Sequence, residues 1–278
     1  MAGSALVLGG GGVTGIAWQT GLLAGLAAQG VDLSGADLIV GTSAGSAVGV
    51  QVAAGVPLPE LYRRQCEPAG TEIAAKMSRA TLARYVWGWL VTRDPDRYAI
   101  TIGKLARRVP RDMAGRRRAV IEARLPGSDW PDRPLLITML DAVTGQRLAV
   151  DRDSGLPLVD VVAASCAVPG VWPVVPIDGR EWMDGGVRSV ANADLAAGAE
   201  QVVIVAPLTT GVPSGAPARQ AAELRAAGAR VALVAPDRQA RAGIGGNLLD
   251  PAARPAAARA GYAQASRVAA AVREVWPG

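Results

Sequence analysis

Leu38-Ile39-Val40-Gly41-Thr42-Ser43-Ala44-Gly45-Ser46-Ala47 is the stretch that decides how this chain folds. A short apolar run ends in small residues, and a small-residue helix then follows over 44–54, closed by Gly55 with Pro57 beyond. The pattern predicts a strand over 37–40, a turn over 41–45 and a helix. The same grammar appears just upstream. An apolar strand over 4–8 leads into Gly9-Gly10-Gly11-Gly12, and a helix over 15–29 follows. Its apolar side is Ile16, Leu22, Leu23 and Leu26, and Gly30 is its stop. Two β-turn-α units in the first 55 residues predict an α/β protein with a parallel sheet and crossover helices.

Working outward, strands are expected at 118–124, 134–140, 147–150, 201–206 and 229–235. Residues 172–177 and 180–183 should form a hairpin about Asp178-Gly179. Helices are expected at 216–227 and 252–275. Residues 58–112 break the alternation with helical stretches and the apolar group Tyr85-Val86-Trp87-Gly88-Trp89-Leu90-Val91. They read either as a helical insertion packed on the core or as a cap over an apolar pocket. No repeat, linker or low-complexity segment interrupts residues 1–278, so one domain is expected, long enough for a substantial core.

Half of the 278 residues are hydrophobic, which excludes a disordered chain. No apolar run reaches membrane-spanning length, and no charged segment precedes the first apolar run as in a signal peptide. A cytoplasmic protein is the expectation. Cys66 and Cys166 fit a reducing compartment and lack metal-ligand spacing. Net charge is +5, and arginines cluster from Arg107 to Arg118. That cluster reads as a solvated face or as a surface for peripheral contact with anionic membrane. Nucleic acid is not an expected partner, because no aromatics interleave with these arginines.

The chain has no histidine. A Ser-His-Asp triad from this chain is therefore excluded, as are histidine zinc sites. Gly41-Thr42-Ser43-Ala44-Gly45 is a G-x-S-x-G motif, the signature of a nucleophile elbow. Chance supplies roughly 0.16 such matches in so glycine-rich a chain, so the motif gains its weight from the strand before it and the helix after it. Without histidine, an activated Ser43 needs a carboxylate, a lysine or the amino terminus as base. The two lysines, Lys76 and Lys104, lie in no small-residue setting. Asp184, in Met183-Asp184-Gly185-Gly186, ends a strand and is followed by glycines that would let another segment approach it. A carboxylate has an unperturbed pKa of about 3.9, so it serves as a base only where it is dry or bonded closely to the serine. Gly10-Gly11-Gly12-Val13-Thr14-Gly15 has three readings: a dinucleotide phosphate loop with Asp32 or Asp37 as ribose acid, an oxyanion hole, or a tight turn.

Taken together, these blocks resemble the patatin-like phospholipases. The resemblance runs from about Ala5 to Val205. It rests on the glycine loop with Gly10, Gly11 and Gly12, the Ser43 motif, the Asp141-Ala-Val-Thr144-Gly145 turn, the block Ala163-Ala-Ser165-Cys-Ala-Val-Pro169-Gly170, and Trp182-Met-Asp184-Gly-Gly186. It implies a three-layer α/β/α sandwich with a mainly parallel central sheet. It implies hydrolysis of lipid acyl esters by a Ser43–Asp184 dyad, with the amides of Gly10, Gly11 and Gly12 (and of Ala44) holding the oxyanion, and no cofactor or metal. Residues 207–278 carry no part of the resemblance. Thr14 stands where the family usually has arginine or lysine, which leaves a non-catalytic lipid binder as an alternative.

Overall fold

The computed structural model describes residues 3–68, 70 and 72–276. One sheet holds β1 (Ser4–Leu8), β2 (Leu38–Thr42), β3 (Leu135–Asp141), β4 (Arg147–Val150), β5 (Val175–Ile177), β6 (Arg180–Asp184), β7 (Gln201–Val205) and β8 (Arg230–Val234). The order is β5-β6-β3-β2-β1-β7-β8, with β4 paired to β3 outside that path. β1, β2, β3, β7 and β8 run parallel, and β4, β5 and β6 pair antiparallel. The helices are α1 (Gly12–Ala28), α2 (Ala44–Ala53), α3 (Leu58–Cys66), α4 (Arg79–Thr92), α5 (Pro95–Ala106), α6 (Ala114–Arg124), α7 (Leu158–Ser165), α8 (Pro217–Ala226), α9 (Arg238–Ile244) and α10 (Arg254–Val275).

The period-2 alternation of the strands splits the core into layers. Leu6, Leu8, Ile39 and Val203 face α1, α2, α7 and α10. Ala5, Val7, Val202 and Ile204 face α8 and the turns beside it. A third cluster joins Leu140 and Met183 to Tyr98 and Ile102 of α5. The fold is thus an α/β sandwich with helices on both faces of a mainly parallel sheet. Residues 207–278 are integral to it. They supply β8 and α10, whose Gly261 lies so close to α1 that a β-carbon there would sit 2.2 Å from the Trp18 carbonyl oxygen. The Trp18 indole donates to Gln264 Oε1 across the same seam.

One expected strand is a helix. Residues 118–124 belong to α6. Val120 and Ile121 suggested a strand, but the buried set is Arg117, Val120 and Ile121, with the i, i+3, i+4 spacing of a helix face. Two boundaries also move. α1 begins at Gly12, and β2 continues through Gly41 and Thr42, so the turn is concentrated at Ser43.

The register of β3 sets up the site. Thr42 of β2 pairs with Thr138, in parallel, and Asp184 of β6 pairs with Met139, antiparallel. β4 pairs with Ile137 through Leu140. It must therefore occupy the opposite edge, leaving β2 and β6 end to end along one edge of β3. Their C-terminal residues consequently arrive at neighbouring β3 positions, although 141 residues separate Ser43 from Asp184 in sequence.

Candidate active site

Ser43 lies between β2 and α2 with φ 52° and ψ −117°, backbone geometry that costs free energy and needs enforcement. The enforcement comes from glycines. A β-carbon on Gly45 would lie 1.9 Å from the Leu8 carbonyl oxygen of β1, and one on Gly41 would lie 2.7 Å from the Ser46 Cα. Only glycine fits either place, which is the physical content of the outer positions of G-x-S-x-G. The strained turn is also tied down. The Ser43 amide donates to Ser165 Oγ at 2.9 Å, and its carbonyl accepts from Ser46 Oγ at 2.6 Å and Cys166 Sγ at 3.2 Å.

Ser43 Oγ donates to Asp184 Oδ2 at 2.6 Å. The other carboxylate oxygen, Oδ1, accepts from the Gly186 amide at 2.7 Å. Both side chains are buried, and Asp184 is only 5% exposed. Burial raises the Asp184 pKa from 3.8 to about 6; the Ser43 hydroxyl, the Gly186 amide and the Arg117 charge hold it from rising further. Asp184 thus has both conditions set for a carboxylate base: dry surroundings and a short bond to the serine.

Beneath the dyad lies a polar triangle that the sequence did not reveal. Asn192 Nδ2 donates to Thr42 Oγ1 at 3.0 Å, to Thr138 Oγ1 at 3.2 Å and to the Ser189 carbonyl at 2.8 Å. Thr42 and Thr138 share a hydroxyl bond at 3.0 Å. These threonines directly precede Ser43 and the β3 residue paired to Asp184, so Asn192 braces the backbone beside both side chains. Asn192 sits in a loop at φ 51°, with no periodic pattern to mark it.

The glycine loop passes beside the serine: a β-carbon on Gly10 would lie 3.4 Å from Ser43 Cβ. The Gly10 amide donates to the Val190 carbonyl at 2.7 Å, so its proton is already engaged. Among the described residues, the amides of Gly11, Gly12 and Ala44 have no acceptor. Gln19 fixes the loop from below, donating to the Gly9 and Gly15 carbonyls. Asp37, one of the acids weighed for a ribose, instead accepts from the Ser4 amide and hydroxyl, and Asp32 accepts from the Ser34 amide in a local turn. Thr14 is fully buried, and its amide and hydroxyl both donate to the Leu248 carbonyl. Position 14 is therefore enclosed by the segment before Leu249, which a long cation would displace.

A cavity of about 470 Å³ opens over the dyad. Its floor is Ser43, Asp184 and the glycines, and its walls include Tyr85, Val187, Val190, Val212 and Leu248. Residues 207–278, silent in the sequence, thus supply much of one wall. α4 contributes Leu82 and Tyr85 to another part of the lining. The Tyr85 hydroxyl donates to the Pro169 carbonyl at 3.1 Å, and Thr81 packs on Gly170. Burial, reinforced by the Asp184 charge, pushes the Tyr85 phenol well above its ordinary pKa. Among the described residues, no three His, Cys, Asp or Glu side chains gather as a metal site requires.

The sequence matches the family Patatin-like phospholipase over residues 6–197. The chain belongs to that family. The match covers both members of the Ser43–Asp184 pair and the glycine loop, and it replaces the dinucleotide reading of that loop. No curated protein sequence matches significantly. Among solved structures, the chain resembles the type III effector protein ExoU at 16% identity and TM-score 0.46, covering 99% of this chain and 53% of that one. It also resembles VipD from Legionella pneumophila at 12% identity and TM-score 0.47, covering 96% of this chain and 66% of VipD. The chain thus spans between half and two thirds of those proteins. No helix among the described residues is long and apolar enough to cross a membrane.

Proposed function

We propose that this patatin-like protein hydrolyses acyl ester bonds of lipids, as a phospholipase A or lysophospholipase would, with Ser43 as nucleophile and Asp184 as the sole side-chain base. The observation that carries this reading is the 2.6 Å bond from Ser43 Oγ to a buried carboxylate whose pKa is raised to about 6. Asp184 Oδ2 takes the hydroxyl proton as Oγ bonds to the ester carbonyl carbon, and the carbonyl oxygen becomes an oxyanion. The amides of Gly11 and Gly12, with Ala44 at the start of α2, are the donors that remain open to it. The tetrahedral species collapses, the ester C–O bond breaks, and the departing alcohol takes the proton from Asp184. Water then attacks the acyl-enzyme, again giving its proton to Asp184, and the acid leaves as Ser43 recovers its hydrogen. The apolar walls of the cavity suit an acyl chain.

The test is turnover of a p-nitrophenyl acyl ester by the wild type, Ser43→Ala and Asp184→Asn. Both variants should lose roughly a thousandfold or more in kcat. Equal rates in all three proteins would refute the proposal, and an inactive wild type that also resists a fluorophosphonate probe would indicate a non-catalytic binder.

A further inference from the structure

Among the described residues, the exposed large apolar side chains gather on one face of α4. Leu82, Val86, Trp87, Leu90 and Val91 are 52–68% exposed. Among the described residues the other large apolar side chains as open are only Val143 and, less so, Tyr262. The spacing explains the grouping. Leu82, Val86 and Leu90 recur every fourth residue, and Trp87 and Val91 lie beside them on the same turns. The inward side is Thr81, Tyr85, Gly88 and Trp89: Gly88 packs on Tyr98 of α5, and Trp89 meets Tyr98 edge to face. Inner contacts thus hold α4 in place and leave its apolar outer face with no partner among the described residues.

Two observations say what covers that face. The first is charge. Lys76 and Arg79 lie at one end of α4, Arg84 on its flank and Arg93 at its other end, all exposed. Among the described residues none of the four pairs with a carboxylate. In the arginine-rich stretch that the sequence singles out, Arg108 and Arg116 are likewise exposed and without an ion pair among the described residues, but the other four are engaged. Arg107 and Arg111 both bond to Glu181, Arg118 bonds to Asp160 and Glu122, and Arg117 is buried against Trp172. The second observation is continuity. α4 carries Leu82 from the exposed face and Tyr85 into the cavity over Ser43, so one helix joins the outer apolar surface to the active site.

We infer that the outer face of α4 docks on an anionic lipid bilayer, seating Trp87, Leu90 and their neighbours at the headgroup–acyl boundary while the flanking cations meet lipid phosphates. The inference rests on the lipid-hydrolase reading of the pocket, and it gives that pocket its orientation toward the bilayer that supplies substrate.

The experiment separates docking from chemistry. Co-sedimentation is measured with the Ser43→Ala protein, which consumes no lipid, on vesicles of phosphatidylcholine alone and of an equimolar mixture with phosphatidylserine. The protein should pellet with the mixed vesicles. Adding Trp87→Ser, Leu90→Ser and Val91→Ser together should lower partitioning roughly tenfold or more, and Arg79→Gln with Arg84→Gln should weaken binding to the mixed vesicles selectively. In the Ser43 background, the triple variant should retain hydrolysis of a soluble short-chain ester. Unchanged vesicle binding by the triple variant would overturn the inference, as would absence of binding by the Ser43→Ala protein. A wild-type dimer that the triple variant dissociates would assign the face to a second copy and equally overturn it. Failure of soluble-ester hydrolysis by the wild type would count against the proposed chemistry and leave the binding result standing.

Discussion

The floor and the cap of the pocket are specified in opposite ways. On the floor, Gly45 packs with no tolerance for a β-carbon, Ser43 is held at positive φ, and every polar atom of the Thr42–Thr138–Asn192 triangle is engaged. On the cap, α4 is fixed through a few inward residues, and its outer side chains are exposed and make no packing demand on the fold. The floor holds its polar atoms at defined distances and requires particular residues. The cap presents a surface and requires only a pattern. The difference teaches where sequence and structure are tightly coupled in this protein and where they are not.

The largest break in that comparison should come from Gly45→Ala. The new β-carbon meets the Leu8 carbonyl at 1.9 Å, and neither β1 nor α2 can move without disturbing the sheet. The expected result is no soluble folded protein, checked by circular dichroism and thermal melting; a cooperative melt near that of the wild type would show that the elbow tolerates a side chain. Asp184→Asn sharpens the comparison differently, because it removes a cost. The folded chain keeps the Asp184 proton up to a pKa of about 6 against 3.8 for the free group, so stability is lost as pH rises from near 4 through 6. The neutral variant should therefore be more stable than the wild type by up to about 3 kcal/mol above pH 7, with the difference vanishing below about pH 3. Urea melts at the two pH values test this, and a pH-independent difference would contradict it. Asn192→Ala should cost about 2 kcal/mol by removing the amide that donates to both threonine hydroxyls and to the Ser189 carbonyl, and should lower kcat more than it raises KM. A change in KM alone would mean that Asn192 does not position the dyad. The smallest effect belongs to the cap: Trp87→Ser, at a residue 68% exposed, should change stability by no more than about 0.5 kcal/mol.

The same contrast explains how much was legible in the sequence. The elbow, Asp184 and the early β-turn-α units could be read because glycine spacing and apolar runs encode backbone constraints directly. The Asp178-Gly179 hairpin could be read for the same reason: both residues take positive φ, as a tight two-residue turn demands. Residues 118–124 misled because one adjacent pair of β-branched residues, Val120 and Ile121, does not distinguish a strand from one face of a helix. Asn192, Gln19 and the Leu248 wall left no local signal, since their roles arise from segments brought together by the sheet order. The glycine loop lies beside Ser43, but the engagement of its Gly10 amide by Val190, a residue 180 positions away, leaves no mark in the local sequence.

The central claim is that Asp184 activates Ser43 without any other base. Its most direct test is the rate at which a fluorophosphonate labels Ser43 as a function of pH, with the modified peptide located by mass spectrometry. Labelling is expected at Ser43 alone, with a rate that rises as a single ionisation near pH 6, and with a loss of roughly a hundredfold or more in Asp184→Asn at every pH above that. Labelling of Asp184→Asn at the wild-type rate, or modification at another serine, would contradict it.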